Sequence, residues 1–455
     1  MQTLLLDSTQ ENINKAGEIL RNGGLVGMPT ETVYGLAADA LNGKAVAKIF
    51  KAKGRPMDNP LIVHIAEFGD IEKFGLVAEI PQKAKILAEK FMPGPLTIIM
   101  KKSEIIPDEV SAGLETVAIR CPSHPVARAL IKAANTPLAA PSANISGSPS
   151  PTTATHVMND MNGKIEAIID GGASEVGVES TVITLAGEVP CLLRPGGITL
   201  EQLRETIGEV ELNKAVLDKL DPNQKAASPG MKYKHYSPKA RVILLKGTDE
   251  EYINYVNSKD DGKTAALCCD EDIAQLKVKT FSLGKRQDYA QQAHRLFDML
   301  REVDEVGGID TAYSRLPSCD GVGMALYNRL IRAAGYEVID LEKLFSSLTP
   351  GRRRVAVAAV EMYKRQLSQQ VERRQIRMSK DVYELMEPLI GDLPNEEFWV
   401  VSINQAGRLI KKVRISVGGI DQTSADIRLI MRVLIDTGAV QFAAVHNHPS
   451  GNSRP

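Results

Sequence analysis

PTETVYGLAADALNGKAVAKIFKAKGRPMDNPLIVH, residues Pro29 to His64, is the stretch whose reading decides the fold. It leaves a short apolar strand, Leu25 to Met28, passes through a polar turn holding Thr30, Glu31, Thr32 and Tyr34, and then turns basic. No acid occurs between Asp39 and Asp58, while Lys44, Lys48, Lys51, Lys53 and Arg55 fall in that window. Guanidinium and ammonium groups answer phosphate charge, and arginine can hold two oxygens at once. Hydroxyls at a strand end suit a small polar ligand. The pair therefore reads as an anion site beside a polar pocket. Lys44 and Lys48 read equally well as the solvated face of a helix whose buried stripe is Ala45, Val46, Ile49 and Phe50.

The chain has 455 residues, 43% hydrophobic and 24% charged, with net charge -1. That length predicts two to four domains of an ordinary globular protein. A net charge near zero gives no global field for nucleic acid, so any such surface is local. The five cysteines show no CxxC spacing, which fits a reducing, cytoplasmic setting. The start, MQTLLLDSTQEN, lacks the features of a signal peptide, and no apolar run approaches the ~18 residues of a membrane span.

Outward from the opening stretch, Ser8 and Glu11 read as a capping box for a helix with Ile13, Ala16, Ile19 and Leu20 inside. Strands are expected at Leu96 to Met100, Val117 to Arg120, Leu138 to Ala140, Glu166 to Asp170, Thr181 to Leu185 and Cys191 to Arg194. Helices are expected from Pro125 through Ala134 and from Thr199 through Ile207. The loop PSANISGSPSPTT, Pro141 to Thr153, offers many donors and little bulk, suiting close approach of a nucleotide. Strand and helix alternation predicts an α/β domain with a mixed sheet over the first ~210 residues.

Eight motifs, PTETVYGL, KGRP, NPLIVH, PGPLT, VAIRCPSHP, PSAN with SG, VESTVI and LLRPG, stand in this order. Together they resemble the YrdC-type threonylcarbamoyl-AMP synthase family in its long, two-domain form. The resemblance implies a YrdC-like mixed twisted sheet with helices over 1–207, a linker over 208–240 folding across the site, and a small Rossmann-like accessory domain over 241–346. Alternating elements after Val242 support the last independently, and without GxGxxG no dinucleotide is expected there.

The implied reaction joins L-threonine, bicarbonate and ATP, with Mg2+, into threonylcarbamoyl-adenylate for N6-threonylcarbamoylation of adenosine 37 in ANN-decoding tRNAs. Partner proteins would carry the group on to tRNA. Carried over residue by residue, Thr32, His64, Arg120, Ala140 and Ser180 would hold threonine. Arg55, Asn59, Thr116, Ser142, Ser150 and Arg194 would hold ATP, with Lys53 against the phosphates and Tyr236, beside His235, closing over it. Lys53 and Arg55 are the expected catalytic pair.

From about residue 347 the chain resembles a RadC-type JAMM/MPN domain, here a partial α/β segment over 347–455. Strands are expected at Phe398 to Ile403 and Leu409 to Val417, then an apolar run ending in HNHPSG. His446 and His448 could face a zinc ion, with Glu396 polarising its water. The family's aspartate ligand lies further along than Pro455, so a complete zinc site is not expected. Two other classes compete with the synthase: a module binding tRNA or double-stranded RNA through the Lys44 to Arg55 arm, and a JAMM-type hydrolase or DNA-repair-associated protein.

Overall fold

The computed structural model describes residues 2–217, 236–346, 375–391, 393, 395–418 and 426–448. They fall into two units, 1–342 and 343–455. The expected catalytic and accessory domains share the first unit, and the division lies close to the expected boundary at 346/347.

Short buried strands build the first sheet: β1 (Leu4–Leu6), β2 (Val26–Met28), β3 (Gly35–Asp39), β4 (Ile62–His64), β5 (Leu96–Lys101), β6 (Thr116–Arg120), β7 (Leu138–Ala139), β8 (Ala167–Ile169), β9 (Thr181–Thr184), β10 (Cys191–Arg194) and β11 (Glu211–Leu212). Their order is β1-β8-β2-β3-β7-β4-β6-β5-β9-β10-β11. It is mixed: β4 and β6 run parallel, as do β5 and β9, whereas β2 with β3 and β5 with β6 run antiparallel. Strands β2 to β10 are buried over most or all of their length, so they read as apolar runs rather than alternating patterns. β11 pairs with β10, so the start of the expected linker belongs to this sheet.

The helix Gln10–Arg21 buries Ile13, Ala16, Gly17 and Leu20, the spacing of one helical face. Its expected capping box is corrected. Thr9 occupies the N-cap, and the Asp7 carboxylate accepts hydrogen bonds from the Thr9 N–H and hydroxyl and from Asn12. At Leu200–Ile207 Thr199 is the N-cap and forms a capping box with Gln202.

The accessory part is a parallel five-stranded sheet, order β14-β13-β15-β12-β16, from β12 (Arg241–Lys246), β13 (Thr264–Cys268), β14 (Lys279–Ser282), β15 (Thr311–Arg315) and β16 (Val338–Asp340). Thr248 and Glu251 cap the helix Asp249–Asn257 reciprocally. The helices Tyr289–Val306 and Gly323–Ala333 pack over the other face through Leu296, Phe297, Leu300, Leu326 and Leu330. That cluster also takes in Val33, Val178 and Tyr236. The core of the accessory domain is therefore continuous with the walls of the first.

The second unit has an antiparallel sheet of β17 (Glu397–Ile403), β18 (Leu409–Val417) and β19 (Gln441–His446), ordered β18-β17-β19. Its core gathers Leu385, Met386 and Ile390 of the helix Ser379–Ile390 with Val401 and Ile403. The helix expected to open at Arg352 to Arg354 lies outside the described residues.

Candidate active site

A cavity open to solvent lies where four segments of the first sheet converge. β4 ends in His64 and β6 in Arg120, paired side by side in register. The turn after the helix Gly43–Lys53 contributes Arg55 and Asn59, and the loop 140–148 contributes Ala140, Ser142 and Asn144. Glu179, Arg194 and Tyr236 complete the wall. An isolated bridge between Gly35 and Ser142 ties the first motif to the PSAN loop. Gly196 brings the RPGG turn against the VEST segment, where a Cβ would lie 2.4 Å from the Thr181 nitrogen.

At one end the charge is cationic. Arg194 is buried; its Nε donates to the Ser180 carbonyl at 3.0 Å and its Nη2 to the Ser180 hydroxyl at 3.1 Å. Burial draws its pKa down to about 10, so it stays charged at neutral pH. Arg55 donates from Nη2 to the Asn59 carbonyl at 3.2 Å. Asn59 is 1% exposed, and neither its side-chain oxygen nor its nitrogen has a hydrogen-bond partner among the described residues. An amide left so costs about 1–3 kcal/mol, which a bound ligand would recover.

The other end is set by His64 and Arg120. Burial, reinforced by the Arg120 charge, pushes the His64 pKa down to about 3, so the ring is neutral. Its Nδ1 lies 3.1 Å from the Ile62 carbonyl, an acceptor that favours the Nδ1–H tautomer. Arg120 is 2.7 Å from the Glu31 carboxylate, both side chains nearly inaccessible. Arg120 Nε and Glu31 Oε2 lack a hydrogen-bond partner among the described residues. The guanidinium is thus charge-neutralised but retains donors for a ligand carboxylate.

Other expected residues make contacts that the sequence does not show. Lys53 lines the cavity but is buried, and its Nζ donates to the Ser142 and Asn144 carbonyls, so it also fastens the PSAN loop. Burial first, then the Arg55 charge, lowers its pKa well below the ordinary lysine value. Thr116 starts β6 four residues before Arg120, about 13 Å away along the strand, and does not line the cavity. Thr32, Ser150 and Ser180 are buried and are not among the residues that line it. Thr32 bonds the Thr30 hydroxyl at 3.0 Å, Ser150 donates to Glu179 at 2.5 Å, and Ser180 meets Thr97 at 2.7 Å while holding Arg194.

Of the expected residues, Lys53, Arg55, Asn59, His64, Arg120, Ala140, Ser142, Arg194 and Tyr236 line it together. His235 lies outside the described residues. Glu179 escaped the sequence reading, although it stands in the VEST motif beside Ser180. Of the basic arm, Lys44, Lys48 and Lys51 are exposed, Lys48 donating to the Gly23 carbonyl at 2.6 Å, whereas Lys53 is buried.

In the second unit His446 ends β19 opposite Phe398, its ring 4.5 Å from that of His448. The His448 Nδ1 is 3.4 Å from the Glu396 carboxylate. Among the described residues no three His, Cys, Asp or Glu side chains gather into a metal-binding group.

Fold and cavity define a mixed α/β protein that sets fixed guanidinium charge beside a small polar subsite. Residues 18–196 match the Sua5/YciO/YrdC family, described as telomere recombination, and residues 198–335 match the threonylcarbamoyl-AMP synthase C-terminal domain. The threonylcarbamoyl-AMP synthase of Pyrococcus abyssi is 46% identical over 332 residues, covering 72% of this chain and 95% of that protein. That of Bacillus subtilis is 45% identical over 338 residues, covering 73% and 96%. Pyrococcus abyssi Sua5 complexed with L-threonine aligns with TM-score 0.68 and 43% identity over 75% of this chain and 99% of that one. Residues 376–455 match a RadC-like JAB domain, and a UPF0758 protein of Porphyromonas gingivalis is 39% identical over 129 residues, 28% of this chain and 57% of that protein. The chain belongs to the threonylcarbamoyl-AMP synthase family, with a RadC-like domain following the synthase portion.

Proposed function

We propose that this chain condenses L-threonine, bicarbonate and ATP into L-threonylcarbamoyl-adenylate and pyrophosphate. The observation that carries the reading is the joint placement of Arg55, Asn59, Ser142 and Arg194 with His64 and Arg120 around one cavity. The threonine amine takes up CO2 as a carbamate, a carbamate oxygen attacks the α-phosphorus, and pyrophosphate leaves. Such a transfer needs no protein nucleophile; it needs two small molecules held in line and the phosphate charge matched.

In this assignment Arg194, Arg55, Asn59 and Ser142 take the nucleotide and Tyr236 covers it. Arg120 takes the threonine carboxylate, and neutral His64 accepts from its polar groups beside Ala140. Magnesium enters as MgATP, carried by the phosphates. The product is consumed by proteins that transfer threonylcarbamoyl to adenosine 37 of ANN-decoding tRNA.

Mass measurement of the product after mixing the purified chain with ATP, threonine and bicarbonate tests the reading. Threonylcarbamoyl-adenylate formed only with all three present supports it, and ATP use indifferent to threonine sinks it. Salt-sensitive RNA binding without pyrophosphate release would instead favour the binding-module reading.

A further inference from the structure

Behind the cavity wall, the loops of the catalytic domain are held by side chains that arrive from the accessory domain. Glu179 lines the cavity, and its Oε1 accepts the Ser150 hydroxyl at 2.5 Å. Its Oε2 accepts Nε of Arg329 at 3.0 Å, from the helix Gly323–Ala333. The same guanidinium reaches the Glu179 carbonyl through Nη2 at 3.1 Å and the Pro195 carbonyl through Nη1. Arg329 is 0% exposed.

The neighbouring helix repeats the arrangement. Arg301 Nη2 donates to the Pro149 carbonyl at 2.5 Å and to Asp160 at 2.9 Å, and Asp160 accepts the Ile145 N–H at 3.3 Å. Contact there is close: a Cβ on Gly177 would come within 2.3 Å of the His294 backbone.

Stability alone does not account for these arginines. Replacing a buried ion pair by apolar side chains of similar volume is often neutral or stabilising, because desolvation consumes the Coulombic gain. What a buried guanidinium supplies is direction: several fixed donors, each assigned to one oxygen. Here those oxygens belong to the three segments that carry Ser142, Glu179 and Arg194 toward the cavity.

We infer that Arg301 and Arg329 are positioning residues for adenylate formation, through which the docked accessory domain sets the shape of the nucleotide end of the cavity. The inference rests on the synthase reading and adds a task for the second domain. Charge gives it a readout. Burial pushes the Glu179 carboxyl up, but Arg329, Arg194 and the Ser150 hydroxyl together outweigh it and hold the group below the usual carboxylate range. Tyr236 and Lys53 are the other titratable groups that face it. Without Arg329 the carboxyl rises toward neutrality, so kcat/KM falls away on the acid side at a higher pH than in the parent.

The test measures steady-state kinetics against pH for the full chain carrying Arg329→Gln, Arg329→Lys or Arg301→Gln, with cooperative unfolding as the check on folding. Expected for Arg329→Gln and Arg301→Gln is a fall of about 10- to 100-fold in kcat/KM for ATP, with KM for threonine changed less. The acidic limb moves upward only when Arg329 is replaced, and Arg329→Lys recovers part of the loss. Should Arg329→Gln not fold, Glu179→Gln with Arg329→Gln removes the orphaned charge, and kcat/KM is expected to stay low. Parent kinetics in folded Arg329→Gln and Arg301→Gln, or in the double variant, overturn the inference. A parent chain that makes no adenylate overturns the synthase reading instead, so the two failures are told apart.

Discussion

Two regions of this chain carry motif-grade residues at strand ends, and they differ in what their polar groups are doing. Around the cavity of the first unit, the Asn59 amide, Arg120 Nε and Glu31 Oε2 are buried without hydrogen-bond partners among the described residues. In the second unit the same kind of signal, HNH at the end of a strand, resolves into internal pairing. Asn447 accepts the Glu397 N–H at 2.8 Å, and His448 faces Glu396. Residue type at a strand end marks a candidate; buried capacity left over after folding marks a site for a ligand.

That contrast can be broken at four points. The largest effect is expected from Arg194→Ala, which removes a fixed charge from the nucleotide end. Threonine-dependent ATP consumption should drop at least about 10²-fold, and a loss under threefold would mean that the cavity is misassigned. Asn59→Ala should cost less, about 10-fold in kcat/KM for ATP, with little change in melting temperature because no protein partner is lost. A stability loss without a kinetic one would make Asn59 structural.

His64 gives a pH signature. Its folded pKa of about 3 lies below its ordinary value of 6.5, so the unfolded chain binds the extra proton between those limits. Its contribution is therefore fully present above about pH 6.5. Stability falls as pH drops below that, by up to about 1.4 kcal/mol per unit, until the folded ring also protonates near pH 3. Denaturant unfolding from pH 7 to 4 should show a shallower slope for His64→Asn than for the parent, and equal slopes would reject the neutral buried ring. The smallest effect is expected in the second unit: His446→Ala with His448→Ala should leave adenylate formation within about twofold. Stoichiometric zinc in the purified chain, lost in that variant, would overturn the account of the histidine pair.

Much of the fold was legible because strands buried on both faces announce themselves as apolar runs. Helix Pro125–Ala134 and strand Cys191–Arg194 occur with the expected bounds. β3 was not, since Gly35–Asp39 sits inside a motif whose polar residues dominate its reading. Lys53, Arg55, His64, Arg120, Ser142 and Arg194 line the cavity. Thr32, Ser150 and Ser180 are not among its lining residues, since a motif fixes neighbourhood and not the direction of a side chain. Hydroxyls there turn back to hold Thr30, Glu179 and Arg194. The Glu179 to Arg329 pair was illegible in principle, since 150 residues separate its members and neither lies in a periodic pattern with the other.

Tyr236 adopts φ 64°, a backbone state few side chains other than glycine tolerate, and its ring rests 5.1 Å from that of Phe297 while also lining the cavity. One aromatic plane thus belongs to two interiors at once. Heat that loosens the apolar packing around Phe297 must deform the roof over the nucleotide in the same event, so catalysis and the second domain should be lost at one temperature.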